Sequence, residues 1–368
     1  MPLTILHCAD VHLDTTFPET RGGSGRRKAL ADAFVRIVDE ALRREADVLT
    51  IGGDLYESER AGPQTFRFLA EQFARFGKPV YIAPGNHDPY GAKSLLSRSD
   101  LPPNVRVFNE ATWKAYPLAS DVTLWGFGHT PAEPPRPFAN AHFDRSGVQI
   151  ALVHGSDEAR CPPNKRVTAP FSTAEVIASG ATLLLTGHYH GGYVVSQNER
   201  PVFAYPGSPE PIKFGEGSGH GALAITIDGS SVDVRPVPTA RTRLVEVTCD
   251  LTGVAHENGA FERIWPALAG CGADDYVRLR LTGEVAEGTR LERSLVEDRL
   301  GGTLGSLEVR DETRSHDYGA IAREPTVRGH VVRDLLALTR DADLEKAALA
   351  QAALRHAVAA FEAAEIAP

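Results

Sequence analysis

Residues 82–88 read Ile82-Ala83-Pro84-Gly85-Asn86-His87-Asp88. An apolar run, Pro79 to Ala83, has the character of a buried strand, and Pro84-Gly85 is a turn signal that stops it. An amide, an imidazole and a carboxylate follow at once. Burying such groups without partners is costly, although Asn86 and Asp88 on their own also suit a plain turn. A site at the carboxyl end of a strand, where open α/β sheets place their ligands, accounts for all three.

The same pattern recurs along the chain. Leu3 to Ala9 is an apolar strand followed by Asp10-Val11-His12, and in an extended chain residues i and i+2 share a side. Asp47 to Ile51 leads to Gly52-Gly53-Asp54. Val148 to Val153 leads to His154-Gly155, and Thr182 to Thr186 to Gly187-His188-Tyr189-His190. Helical spacing fills the intervals, with Leu30, Phe34, Ile37, Val38, Ala41 and Leu42 over 29–44, and a second helix over 63–76. Strand, polar tip, helix in repetition predicts an α/β layered domain.

The 368 residues allow one large or two ordinary domains. Near Pro238 the pattern resets, and strands at 244–251, 276–281 and 306–310 alternate with helices at 260–268 and 290–300. A helical tail follows from 331 to 364, broken around 340–343, with a stripe of Leu344, Ala347, Leu354, Val358 and Phe361. The expected division is 1–238, 239–325 and 326–368. No apolar run is long enough to span a bilayer. The N-terminus lacks signal-peptide character, and four scattered cysteines without a CxxC pair suit a reducing cytoplasm. The net charge of −9 is not the footprint of a nucleic-acid binder. Contact with a polyanion would need bound cations or a local basic patch such as Arg26-Arg27-Lys28, otherwise a solvated helix start.

The polar tips supply two carboxylates (Asp10, Asp54), one amide (Asn86) and five imidazoles (His12, His87, His154, His188, His190). Without a thiolate this is not a structural zinc set. Mixed oxygen and nitrogen donors suit Mn²⁺, Fe²⁺ or Zn²⁺, and there are enough for two ions. Two-metal sites activate water for in-line attack on phosphorus. His7, inside the first strand, reads as a satisfied core group.

Taken in order, Asp-x-His, Gly-Asp, Gly-Asn-His-Asp, His-Gly and Gly-His-x-His resemble the calcineurin-like metallophosphoesterases. Ala9-Asp10-Val11-His12-Leu13-Asp14, Gly53-Asp54-Leu55-Tyr56 and Tyr205-Pro206-Gly207-Ser208-Pro209 with Phe214-Gly215-Glu216 are similar to the SbcD/Mre-eleven DNA repair nucleases, and Asp14-Thr15-Thr16-Phe17 to their YhaO branch. The resemblance covers about residues 1–240. It implies a sandwich of two mixed sheets flanked by helices, a small α/β capping domain and a C-terminal helix. It implies two divalent ions, most naturally Mn²⁺, one held by Asp10, His12 and His190, the other by Asn86, His154 and His188, with Asp54 bridging. His87 would meet the scissile phosphate and Asp88 would orient His87. DNA would be the substrate, the chain a homodimer, and a coiled-coil SMC-like ATPase of the SbcC/YhaN type the partner of the C-terminal region. Where some members carry a second histidine, three residues after the bridging aspartate, this chain has Glu57, an anion that would repel phosphate unless it binds a cation. Small-molecule phosphodiester or phosphomonoester hydrolysis is the alternative activity, and an assembly subunit with a vestigial site the non-enzymatic one.

Overall fold

A computed structural model describes residues 2–17, 23–132, 136–143, 146–161, 167–289 and 291–366. The chain divides into two compact units, Met1–Leu244 and Val245–Pro368. The first runs β1 (Leu3–Cys8), α1 (Gly23–Arg43), β2 (Val48–Ile51), α2 (Pro63–Phe76), β3 (Val80–Ile82), β4 (Val105–Val107), β5 (Lys114–Ala119), β6 (Val122–Gly126), β7 (Val148–His154), α3 (Thr173–Ala178), β8 (Leu183–Gly187), β9 (Tyr193–Gln197), β10 (Arg200–Tyr205), β11 (Gly221–Asp228) and β12 (Ser231–Pro238).

These strands form two six-stranded sheets, β12-β11-β1-β2-β3-β4 and β5-β6-β7-β8-β10-β9. Within the first, β1 to β4 are parallel, β11 runs against them beside β1, and the edge strand β12 pairs antiparallel with β11 and so shares the direction of β1. Within the second, β6, β7, β8 and β10 are parallel, and the edge strands β5 and β9 are antiparallel. The fold is the mixed α/β sandwich that the sequence pattern predicts.

Period-two alternation explains the layers. From β1, Ile5 faces the other sheet, where it joins Ile150 and Leu152 of β7 and Leu183 and Leu185 of β8. Leu6 and Cys8 face the opposite way and pack with Phe34, Ile37, Leu69 and Phe73 of α1 and α2. Ala151, Val153 and Leu184 enter a third cluster with Phe138, Phe171 and Phe203. Both faces of the central strands are covered, which is why they read as unbroken apolar runs. Two elements escape the sequence reading. β5 carries Pro117 and lies at an edge, where proline is tolerated. The short α3 is announced only by the capping box of Ser172 and Glu175.

The second unit holds a three-stranded sheet of β13 (Arg243–Asp250), β14 (Asp275–Thr282) and β15 (Ser306–Asp311), with α4 (Glu257–Ala267) and α5 (Arg293–Leu300) in its core. The tail forms α6 (Tyr318–Ala322), α7 (Val327–Leu338) and α8 (Leu344–Ile366). It belongs to this same unit, and Val332, Leu354 and Val358 make its buried contact, flanked by Ile321 and Leu335. Leu344, placed on the apolar stripe by its spacing, is 83% exposed; the buried row is Ala350, Leu354, Val358, an i, i+4 ridge.

His7 is the satisfied core group expected from its position. Its Nδ1 meets Thr50 Oγ1 at 3.0 Å and its Nε2 meets the Thr186 carbonyl at 3.3 Å. It links β1 to β2 and to β8 of the other sheet. Burial pushes its pKa down to about 4, so the ring is neutral in the folded protein. The unfolded chain, with His7 near 6.5, takes up the proton first. Stability from this residue is therefore complete above about pH 6.5 and is lost as the pH falls toward 4. The full effect is about 3 kcal/mol at about 1.4 kcal/mol per pH unit. Urea midpoints of metal-free protein between those pH values should fall more steeply for the native chain than for His7→Gln; equal slopes would remove His7 from the acid response.

Candidate metal centre

The parallel strands of both sheets deliver their carboxyl ends to one edge. Asp10 and His12 follow β1, Asp54 follows β2, and Asn86, His87 and Asp88 follow β3. His154 ends β7, and His188 and His190 follow β8. Ligand atoms of Asp10, His12 and His190 lie within 4.8 Å of one another, as do those of Asp54, His154 and His188. Each group mixes residues from the two sheets.

Asp54 belongs to the second group and reaches toward the first. One carboxylate oxygen, Oδ2, is 3.7 Å from His12 Nε2 and 3.3 Å from His154 Nε2. The other, Oδ1, accepts the His87 backbone N–H at 2.8 Å. Asn86 Oδ1 lies 3.2 Å from His154 Nε2. Gly85 must be glycine here, because a Cβ would come 2.2 Å from Asp54 Oδ1.

The imidazoles are oriented from behind. His154 Nδ1 donates to the Gly52 carbonyl at 2.7 Å, His12 Nδ1 to Glu57 at 2.8 Å, and His190 Nδ1 to Glu216 at 2.5 Å. With Nδ1 protonated, Nε2 of each ring presents its lone pair inward, the support that metal-binding histidines characteristically have. His12 Nε2 is buried with no hydrogen-bond partner. Its distances to Asp10 and Asp54, 4.0 and 3.7 Å, are too long for a hydrogen bond. A divalent cation is the partner this atom and its surroundings fit, and the two oxygen–nitrogen groups fit two.

The backbone bends to achieve this. Asp10, His12, Asp54 and His188 have φ of 54°, 50°, 51° and 116°. The extended geometry expected for Asp10-x-His12 is therefore replaced: β1 has ended at Cys8, and left-handed residues turn the side chains together. Such residues cost about 1–3 kcal/mol each and persist where the surroundings over-determine them. Backbone bonds from Asp10 to Gly53 at 3.0 Å and from His12 to Asp54 at 2.9 Å fix this segment. Asp10 in turn accepts the His188 N–H at 3.0 Å. Likewise His188 and His190 do not share one side; they serve different groups.

Burial raises the pKa of Asp10. Asp54 is also wholly buried, but His154, His12 and His87 outweigh that burial and hold it well below the usual carboxylate range. The hydrogen bond that His87 donates to Glu57 lifts His87 above the ordinary imidazole value, against partial burial.

The family profile for calcineurin-like phosphoesterases matches residues 3–192. This chain belongs to the calcineurin-like phosphoesterases. It is similar to the uncharacterized metallophosphoesterase YhaO of Bacillus subtilis, with 26% identity over 308 residues, 77% of this chain and 73% of that protein. It is also similar to the DNA double-strand break repair protein Mre11 of Methanopyrus kandleri, 24% identical over 241 residues, 58% of this chain and 50% of that one. The Mre11 of Aeropyrum pernix is 26% identical over 275 residues, 67% of this chain and 63% of that one. The chain thus spans half to just under two thirds of these two Mre11 relatives.

Members of this phosphoesterase family use a dimetal site, and the described residues offer ligand groups for one. Two expectations about neighbouring residues are corrected. Asp88 does not orient His87: it is fully buried and accepts backbone N–H groups from Gly85, Leu55 and Asp54 at 2.6, 2.8 and 3.1 Å, tying the β2 and β3 tips together. The carboxylate on His87 is that of Glu57, whose Oε2 takes His87 Nδ1 at 2.8 Å while Oε1 takes His12 and the Thr15 hydroxyl. His12, Glu57 and His87 could also gather round a cation, but both Glu57 oxygens are already spent on the two rings. Its charge is thereby matched by donors, which answers the repulsion expected of an anion here. Arg26 is not a surface cation. It is buried, with Nη2 donating to the carbonyls of Pro211 and Ile212 at 3.3 and 2.7 Å and its guanidinium 3.7 Å from the Phe17 ring. Arg27 and Lys28 are exposed, and Lys28 pairs with Asp32 at 2.5 Å. The sequence alone did not give Glu57 or Glu216 the part of holding a histidine ring. Glu57 was legible through its place three residues after Asp54, whereas Glu216 reaches His190 only through a distant loop.

Asp54→Ala should lose at least one of two bound divalent ions, measured by elemental analysis after dialysis. His87→Ala should keep both. Full metal content without Asp54 would sink its placement between the ions, and metal loss without His87 would make that ring a ligand.

Proposed function

We propose that this phosphoesterase is a Mn²⁺-dependent DNA nuclease, exo- or endonucleolytic, that serves double-strand break repair. The observation that supports it most is Asp54, grouped with His154 and His188 yet 3.7 Å from His12 Nε2 in the Asp10, His12 and His190 group. Asp10, His12 and His190 would hold one ion, Asn86, His154 and His188 the other, and Asp54 would bridge them. Two divalent ions supply Lewis-acid polarisation of the phosphoryl oxygens and lower the pKa of water. Oxygen and nitrogen ligands of this kind also accept Fe²⁺ or Zn²⁺.

The protein's own groups do the rest. Glu57 holds His87 by Nδ1 at the mouth of the cleft, where the ring is 44% exposed. His87 Nε2 is then left to meet a phosphoryl or leaving-group oxygen, and its raised pKa favours giving a proton there. Asp88 fixes the loop that carries His87. Glu216 and the Gly52 carbonyl keep His190 and His154 in the tautomer that points Nε2 inward.

Similarity to Mre11 proteins supports DNA as substrate, a homodimer through the first unit, and an SMC-like ATPase of the SbcC/YhaN type at the C-terminal helices. There Leu344 and Leu349 are 83% and 71% exposed. Residues 239–325 would be the capping domain. Among the described residues no helix is long and apolar enough to cross a membrane, and a cytoplasmic setting fits the cysteine pattern. The net charge of −9 favours a second reading, hydrolysis of a small phosphodiester or phosphomonoester by the same centre.

Turnover of linear single- and double-stranded DNA and of a chromogenic diester, compared in Mn²⁺, separates the two. Cleavage of the small diester alone would overturn the nuclease reading. In the preferred substrate, His87→Ala should lower kcat by about 10²–10⁴ with metal content kept; an unchanged kcat would take His87 out of the chemistry.

A further inference from the structure

A second cavity, of about 600 Å³, lies beside the metal cleft and takes no part in the metal centre. The chain itself joins the two: His12 and Thr15 line the cleft, while Leu13 and Asp14, between them in sequence, line the cavity. Arg60 lines both.

Its walls carry three exposed arginines, Arg27 from α1, Arg60 before α2, and Arg67 within α2. None has an ion pair among the described residues. Several arginines elsewhere in this unit are engaged, such as Arg36 with Glu210, Arg75 with Asp39, Arg98 with Asp100, and Arg136 with Glu158 and Glu175. The one acidic lining group, Asp14, accepts the Thr65 hydroxyl at 2.5 Å. The first turn of α2 has no acidic residue, so its positive end opens on the same space. The floor is apolar, with Leu13, Ala31 and the half-buried Phe68. Unpaired guanidinium groups match phosphate oxygens, an aromatic ring is a stacking partner for a base, and the volume lies within the range of small-ligand sites.

We propose that this cavity is a subsite for a non-scissile phosphate of a polynucleotide, with its nucleoside over Phe68, when a neighbouring phosphate of that chain occupies the metal cleft. The proposal rests on the phosphodiesterase reading of the centre and extends it: on an acidic protein, recognition of a phosphate chain is concentrated in three arginines adjoining the cleft. It separates a chain substrate, which reaches both spaces, from a small diester, which fills one.

The test uses the full chain with Arg27→Glu and Arg67→Glu combined, both surface positions. Metal content and melting temperature should match the native protein. Fluorescence anisotropy with a short labelled single-stranded oligonucleotide should show affinity reduced at least about tenfold, with a shallower dependence on salt. Oligonucleotide affinity within about twofold of native would overturn the subsite, since charge reversal at two phosphate contacts must cost more. Orthophosphate, titrated as competitor, should displace the oligonucleotide only weakly; loss of affinity for orthophosphate equal to that for the oligonucleotide would mean a free-phosphate site and overturn the chain reading. Hydrolysis of the oligonucleotide and of the chromogenic diester by the native protein is scored separately. Binding lost in the variant without such hydrolysis keeps the subsite and removes the phosphodiesterase reading; hydrolysis with unchanged oligonucleotide binding does the reverse.

Discussion

The hydrogen bond from His154 Nδ1 to the Gly52 carbonyl joins a strand end of one sheet to a strand end of the other. Around it lie two more links of the same kind, His7 to the Thr186 carbonyl and Asp10 to the His188 N–H. Both ligand groups draw on both sheets, so neither would exist if the sheets slid or splayed at this edge. The interior behind the seam is apolar and close-packed, which resists such sliding. The candidate metal centre is thus a property of the sandwich and not of either sheet.

Cost concentrates at the same place. Four residues of the candidate groups adopt left-handed backbone, and the carboxylates of Asp10, Asp54 and Asp88 are all buried. The apolar interior between and behind the sheets, together with the backbone bonds that extend the β1–β2 pairing to Leu13 and Leu55, holds the strained tips in place. Cations would relieve the charge, so occupancy and local stability should be coupled in this protein, as they are wherever a ligand binds only the folded state.

Carboxylates other than Asp10 and Asp54 have a distinct job. Glu57, Glu216 and Asp88 each satisfy donors on the loops that carry the candidate ligands. Glu57 is central because one side chain fixes both His12, in a ligand group, and His87, at the mouth. A histidine at that position would offer one acceptor at most and could not hold two rings by Nδ1 at once. Replacing it by glutamate therefore changes what is rigid in the cleft.

By itself the sequence determined most strands, most helices, the reset near Pro238, and the eight polar tips from Asp10 to His190. Those signals are local: apolar runs of strand length, turn residues after them, and polar groups where burial would otherwise be costly. Only the tertiary structure decided which tips meet, that Asp10 and His12 converge through left-handed backbone, that Asp88 binds the β2 turn and not His87, and that Arg26 is buried under residues 211–212. It also decided that α8 buries Leu354 and Val358 while Leu344 faces solvent. In each case the partner lies far along the chain or on another element, as with Glu216 for His190, 26 residues away, and Pro211 for Arg26, 185 away. Residue type and spacing report what a side chain can do; which group it does it to is set by packing of elements that the local pattern does not register.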